Sequence, residues 1–306
     1  LGLPLGLLLA FFTMGSMVEA FGSWRAPFFI AAVPGLVLAL FIFLIKEPKR
    51  GAAETVKVSQ EPVQQPIRKV LSIRTFWWLV LAGLAFNFAT YACNAFMVPL
   101  LMRYHGVSLV QASVATGVIV GLTGLFGLTL GGWVADRIHQ RYARGRLIFA
   151  AVSMLIATIA TGYALLAGRI EVGMFVAVFS IGWLFSYNFY TCVYTAIQDV
   201  VEPRLRATAM ALFFAGLYLL GGGMGTVVVG LLSDHFAEGA MLAAGASEMA
   251  EAFRAEGLHG AMYLIPASLL LTMLFLFQAS RTFCADTQRM TAGMTADARG
   301  AEAVPA

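Results

Sequence analysis

Three polar side chains, Asn87, Tyr91 and Asn94, recur at i, i+4 and i+7 inside the otherwise apolar stretch Thr75 to Met102. That spacing puts them on one face of a helix. Amides surrounded by lipid need partners, which either a water-lined or substrate-lined cavity or ordinary interhelical hydrogen bonding supplies. Further on, Trp183, Tyr187, Tyr190 and Tyr194 form an aromatic stripe at similar spacing, with Asn188 and Gln198 beside it. An apolar face carrying phenol hydroxyls suits an amphiphile with a polar head, and interhelical packing accounts for the same stripe. A third group is charged: Asp136, Arg137 and Arg141 close one apolar run, and Asp199, Glu202 and Arg206 precede another. None of the three is a catalytic dyad or a metal cluster, which an intramembrane enzyme would need inside an apolar segment.

The elements that must position these groups are membrane helices. The 306 residues are 60% hydrophobic and 12% charged, with a mean hydropathy of +0.82, outside the range of soluble domains. Lys, Arg, Asp and Glu are absent from Ala26–Ile45, Thr75–Met102, Tyr104–Ala135, Leu147–Gly168, Val172–Gln198, Ala207–Ser233 and Gly257–Ser280. Each is long enough to cross a core of about 30 Å at roughly 1.5 Å per residue. Leu1 to Val18 adds an eighth, so the expected fold is an all-α polytopic membrane protein with eight transmembrane helices. The net charge of +4 and pI near 9.1 do not indicate nucleic acid, because the basic residues lie between the spans rather than on one soluble face. Cys93, Cys192 and Cys284 show no Cys-x-x-Cys spacing and are expected to be packing thiols. Gly117, Gly121 and the run Gly221 to Gly225 are expected to serve close packing and bending. The run lacks the Lys and Ser/Thr of a phosphate loop. The chain opens at Leu1 with no initiating Met and no basic leader, so Leu1 to Val18 is expected to lie inside a longer protein rather than to be a signal peptide.

Charge sets the expected orientation. The 46–74 connection holds Lys46, Lys49, Arg50, Lys57, Arg68, Lys69 and Arg74 against Glu47, Glu54 and Glu61, which predicts a cytoplasmic linker between two bundles. A short amphipathic helix is expected near Ile67 to Ile73, with Trp77 and Trp78 at the interface. The domains read as a partial two-span bundle over 1–45, the linker over 46–74, a six-helix bundle over 75–280 and a cytoplasmic tail without fixed structure over 281–306. The six spans after the linker divide into two triplets, Thr75–Gly168 and Val172–Ser280, that start on opposite sides, as in an inverted repeat. In this topology Asp136 is expected to meet the start of the Arg206 helix, where the macrodipole and basic neighbours favour a carboxylate. Solvated loop charges that only fix topology are the other reading.

Gly132-x-x-x-Asp136-Arg137-x-x-x-Arg141 resembles the loop motif of the major facilitator superfamily, although His139-Gln140 stand where that family often has Gly and a basic residue. Gly22-Ser23-Trp24-Arg25-Ala26-Pro27-Phe28 followed by Pro34-Gly35 is similar to the start of its sixth helix. Lys46 to Gly51, Met102 to Ser108 and Glu202 to Ala207 are similar to its spinster-like branch, which includes lipid and sphingolipid transporters. The resemblance implies that the spans are helices five to twelve, with the first four missing. It also implies that the Asn87 face and the Trp183 stripe line a central cavity, and that the charged group is a cytoplasmic gate. The implied function is secondary transport of a small organic or amphiphilic, lipid-like solute by alternating access. The alternative is a non-transporting sensor or scaffold that binds a partner through the linker or tail. No cofactor is expected, and the partners are the bilayer and a small-molecule or lipid-like substrate. No ionisable group lies in the central parts of the spans, and His105, His139, His235 and His259 all sit at span ends, so coupling to an ion would need a carboxylate on the missing helices; without one the protein is a facilitator. The expected location is a bacterial inner membrane or another plasma membrane.

Overall fold

A computed structural model describes residues 2–46, 65–168 and 171–302, with side chains to 295. The linker residues 47–64 and the connecting pair Arg169-Ile170 lie outside the described residues. The helices are α1 (Gly2–Phe21), α2 (Ala26–Ile42), α3 (Pro66–Leu71), α4 (Arg74–Tyr104), α5 (Leu109–Arg141), α6 (Gly145–Leu166), α7 (Val172–Val200), α8 (Pro203–Ala243), α9 (Glu251–Ala261) and α10 (Leu264–Glu302). Among the described residues seven stretches are long and apolar enough to cross a membrane, with α9 and the first part of α10 counting as one; α2, at 17 residues, is a shorter apolar helix. The all-α polytopic class expected from the charge-free runs is therefore the observed one.

Local chemistry sets the helix ends. Ser108 and Gln111 form a reciprocal capping box at the start of α5. Gly22, at φ 63°, turns the chain after α1, a conformation that favours glycine. The short α3 forms where an amphipathic helix was expected, with Val70 buried and Ile67 exposed. Ile73, at the head of α4, offers no side-chain cap. The cap comes instead from Asp286 on α10, whose Oδ2 accepts from the Thr75 backbone N–H at 2.8 Å and from Thr75 Oγ1 at 2.7 Å. This corrects the expectation of an unstructured tail. The tail continues α10, because Phe283 and Asp286 give it an inward face against the bundle.

The second helix of each triplet packs on the first helix of the other: α5 lies against α7, and α8 against α4. Both crossings demand glycine. A Cβ on Gly127 of α5 would sit 2.5 Å from the Leu184 carbonyl oxygen, and one on Gly221 of α8 would sit 2.7 Å from that of Leu84. Both second helices also widen into one π turn, Gly117–Leu122 in α5 and Leu217–Gly222 in α8. The first helices meet at the centre, where Phe86 of α4 stacks on Phe189 of α7 with centroids 4.1 Å apart. α10 closes the bundle against α4 and α6. α1 seats Leu8 and Phe12 against the α5 π turn, whereas α2 leaves Phe28 and Phe29 exposed.

Candidate functional site

Asn87 of α4 is buried, and its Nδ2 donates to the Leu217 carbonyl at 2.8 Å, inside the α8 π turn. Tyr187 of α7 is buried as well, and its hydroxyl donates to the Val120 carbonyl at 2.5 Å, inside the α5 π turn. The arrangement is reciprocal: the first helix of each triplet sends one polar side chain into the widened turn of the other triplet's second helix. π turns disturb the regular backbone ladder, and a carbonyl without a partner in an apolar interior costs free energy, so each side chain supplies a donor where one is needed. Two positions expected on a cavity face thus spend their donors on backbone.

The aromatic stripe divides at the same place. α7 is regular over Val172–Ser186 and again over Asn188–Val200, with Tyr187 as the joint. Trp183 is buried and stacks on Phe179 at 5.8 Å, which corrects its expected place on the cavity; it is packed among the rings of the core. Asn188 is also internal, with its Nδ2 donating to Ser153 Oγ at 2.9 Å.

The remaining candidates come together in one belt of rings. Tyr190 meets Tyr194 at 5.6 Å, Tyr194 meets Phe214 at 5.5 Å, Phe214 stacks on Tyr218 at 5.8 Å, and Tyr218 meets Tyr91 at 6.4 Å. The belt crosses α7, α8 and α4 and leaves Tyr91 39% and Tyr218 49% exposed. Asn94 lies one turn beyond Tyr91, and its Oδ1 is buried with no hydrogen-bond partner among the described residues. Phe214 and Tyr218 were missed by sequence reasoning. Their i, i+4 spacing just before the glycine run was the available signal.

The charged residues pair differently from expectation. Asp136 Oδ1 lies 2.9 Å from Arg146 Nη2, and Arg146 Nη1 lies 2.9 Å from Asp199 Oδ2. Arg146, on the first turn of α6, is therefore the centre of the cluster, and it replaces the start of the Arg206 segment as the partner of Asp136. The physical reason is local. Asp136 stands in the last turns of α5, where the macrodipole disfavours an anion, and Arg146 is one short turn away in sequence. Arg206 instead directs Nε to the Gln198 carbonyl at 3.2 Å. Arg137 covers the Trp133 ring at 4.2 Å, and Glu202 lies 3.8 Å from Arg204. All of these sit at the end of the bundle where the linker enters.

Long apolar helices in inverted triplets, with a polar-aromatic face between them and ion pairs at one end, define an integral membrane protein of transporter architecture. The chain belongs to the major facilitator superfamily: the family model of that name matches residues 1–226. It is 28% identical to an MFS-type efflux pump of Mycolicibacterium smegmatis over 78% of this chain and 54% of that one. It is 26% identical to a sphingosine-1-phosphate transporter of Xenopus tropicalis over 76% of this chain and 47% of that one. The inward-facing, unoccupied structure of a bacterial homologue of the human lysosomal transporter Spinster superposes with a TM-score of 0.73 at 25% identity, covering 93% of this chain and 70% of that one. The spinster-like resemblance is borne out. The chain spans about half the length of the curated relatives it matches.

Proposed function

We propose that this chain supplies one helix bundle of a secondary transporter whose solute is amphiphilic, with an apolar body and a polar head. The observation that carries the reading is the half-exposed ring belt from Tyr190 through Tyr194 and Tyr218 to Tyr91. Ring faces bury alkyl surface, and phenol hydroxyls exchange hydrogen bonds with a head group. A relative that carries sphingosine-1-phosphate supports this solute class, while another of equal identity is a hexuronate transporter. Movement occurs by rocking of this bundle against a facing one. The Asp136–Arg146–Asp199 cluster lies at the end that opens and closes, with Arg137, Arg141, Glu202 and Arg206 around it. The positive-inside tendency of the basic linker supports a cytoplasmic placement of that end.

The test is flux in proteoliposomes made with the full-length protein, using a labelled lysolipid and a labelled small organic anion. Lysolipid flux is expected, and the Tyr91→Ala, Tyr218→Ala double variant lowers it about tenfold, the loss of roughly 1.4 kcal/mol of ring contact, at unchanged protein level. Preference for the organic anion overturns the solute class. Absence of flux for both, with a soluble protein retained by the linker or tail, overturns transport itself in favour of a sensor or scaffold.

A further inference from the structure

At the linker end, a cavity of about 480 Å³ opens between the end of α5, the start of α8 and the extension of α10. His139 and Arg141 line it from α5, Arg206 from α8, and Phe283, Thr287 and Met290 from α10. The one carboxylate in its wall, Asp199, is engaged by Arg146 at 2.9 Å. Neither Arg141 nor Arg206 has a carboxylate partner among the described residues, and Arg206 spends only Nε, on the Gln198 carbonyl. His139 Nδ1 and Thr287 Oγ1 are buried without a hydrogen-bond partner among the described residues. The wall therefore gathers two guanidinium groups, an imidazole and a hydroxyl, and its one carboxylate among the described residues is already paired with Arg146.

Two guanidinium groups lining one cavity repel one another, and an anion bound between them is attracted to both. Guanidinium forks match the oxygens of a phosphate group, and a hydroxyl completes the set of donors. We propose that this cavity binds a phosphate-bearing anion. Its size exceeds what a bare phosphate fills, and Phe283 and Met290 give one wall an apolar surface, so a phosphodiester carrying a glycerol or a lipid backbone fits better than the ion alone. Basic pockets between membrane helices at a cytoplasmic end hold anionic headgroups by the same chemistry. A bound anion joins three segments that are far apart in sequence, at 141, 206 and 287. It does so whatever solute crosses the membrane, so this site stands independently of the transport reading.

The experiment is thermal unfolding and native mass spectrometry of the full-length protein in a neutral detergent. Additions are phosphatidylglycerol, phosphatidylcholine or inorganic phosphate, each tested on the unaltered protein, on the Arg141→Gln, Arg206→Gln variant and on Thr287→Val. Phosphatidylglycerol is expected to raise the midpoint by about 2–4 °C and to remain bound, phosphatidylcholine to do neither, and the double variant to lose at least most of the shift. A rise with inorganic phosphate equal to that with phosphatidylglycerol assigns the site to a soluble anion. No rise with either, or a rise undiminished in both variants, overturns the site. If the double variant does not fold, Thr287→Val decides, because it removes one hydroxyl and no charge.

Discussion

Arg146 is pinned between two carboxylates, and the two pairs are not equivalent. Its own side chain is 11% exposed, Asp199 is 34% exposed and Asp136 65%. Water competes strongly for Asp136, so that pair contributes little, about 0–1 kcal/mol. Asp199 faces less water, and its removal leaves Arg146 short of its less screened partner, a cost of about 1–3 kcal/mol. Asp199→Asn is therefore expected to lower the thermal midpoint clearly more than Asp136→Asn when both are measured in the same detergent; equal shifts would show that the cluster does not divide as its exposure implies. The sequence made these acids and arginines visible as a group at one end of the bundle. It did not reveal which cation stood between them, because that choice depends on how the ends of α5, α6 and α7 cross, not on spacing along the chain.

At the scale of elements, the matched π turns distinguish this bundle from a set of straight helices. Each is held by one donor from the opposite triplet, Asn87 at Leu217 and Tyr187 at Val120. Tyr187→Phe removes one hydroxyl and nearly nothing else, so its effect should be local: amide exchange across Gly117–Leu122 is expected to accelerate about fivefold to tenfold, the loss of roughly one hydrogen bond. Leu217–Gly222 should be unaffected in the same sample, and acceleration there as well would mean that the turns open together. The glycines of both turns were legible as sites of packing and bending. The extra residue per turn was not, because a π turn is a tertiary compromise between helices and leaves no period of its own in the sequence. Asn87 and Tyr187 likewise stood out as polar positions, but helical spacing does not distinguish a side chain aimed at a solute from one aimed at a neighbour's carbonyl.

Over the whole molecule, the uncharged runs carried most of the fold. The spans, their triplets and the short helix at Pro66–Leu71 follow from where charge is excluded and where it returns. The tail did not follow, because after Ser280 its inward face is built from few residues, chiefly Phe283 and the buried Asp286, among polar and small ones. That carboxylate is nevertheless bound to both donors of Thr75. Asp286→Ala is expected to destabilise the protein by about 1–3 kcal/mol, with Asp286→Asn intermediate, as read from thermal unfolding. Equal stability of the unaltered protein and Asp286→Ala would show that water serves the head of α4 equally well.

The cap on α4 also sets an order for biogenesis. Thr75 leaves the ribosome before the residue that completes its hydrogen bonds, which follows 211 positions later. At about 5–20 residues per second, that interval is roughly 10–40 s, during which α4 is inserted with its first turn unlatched. A nascent chain interrupted before Asp286 has every span needed to enter the membrane and still lacks the group that fastens the last helix to the first of the six. The head of α4 is thus completed only when the final helix of the bundle docks against it.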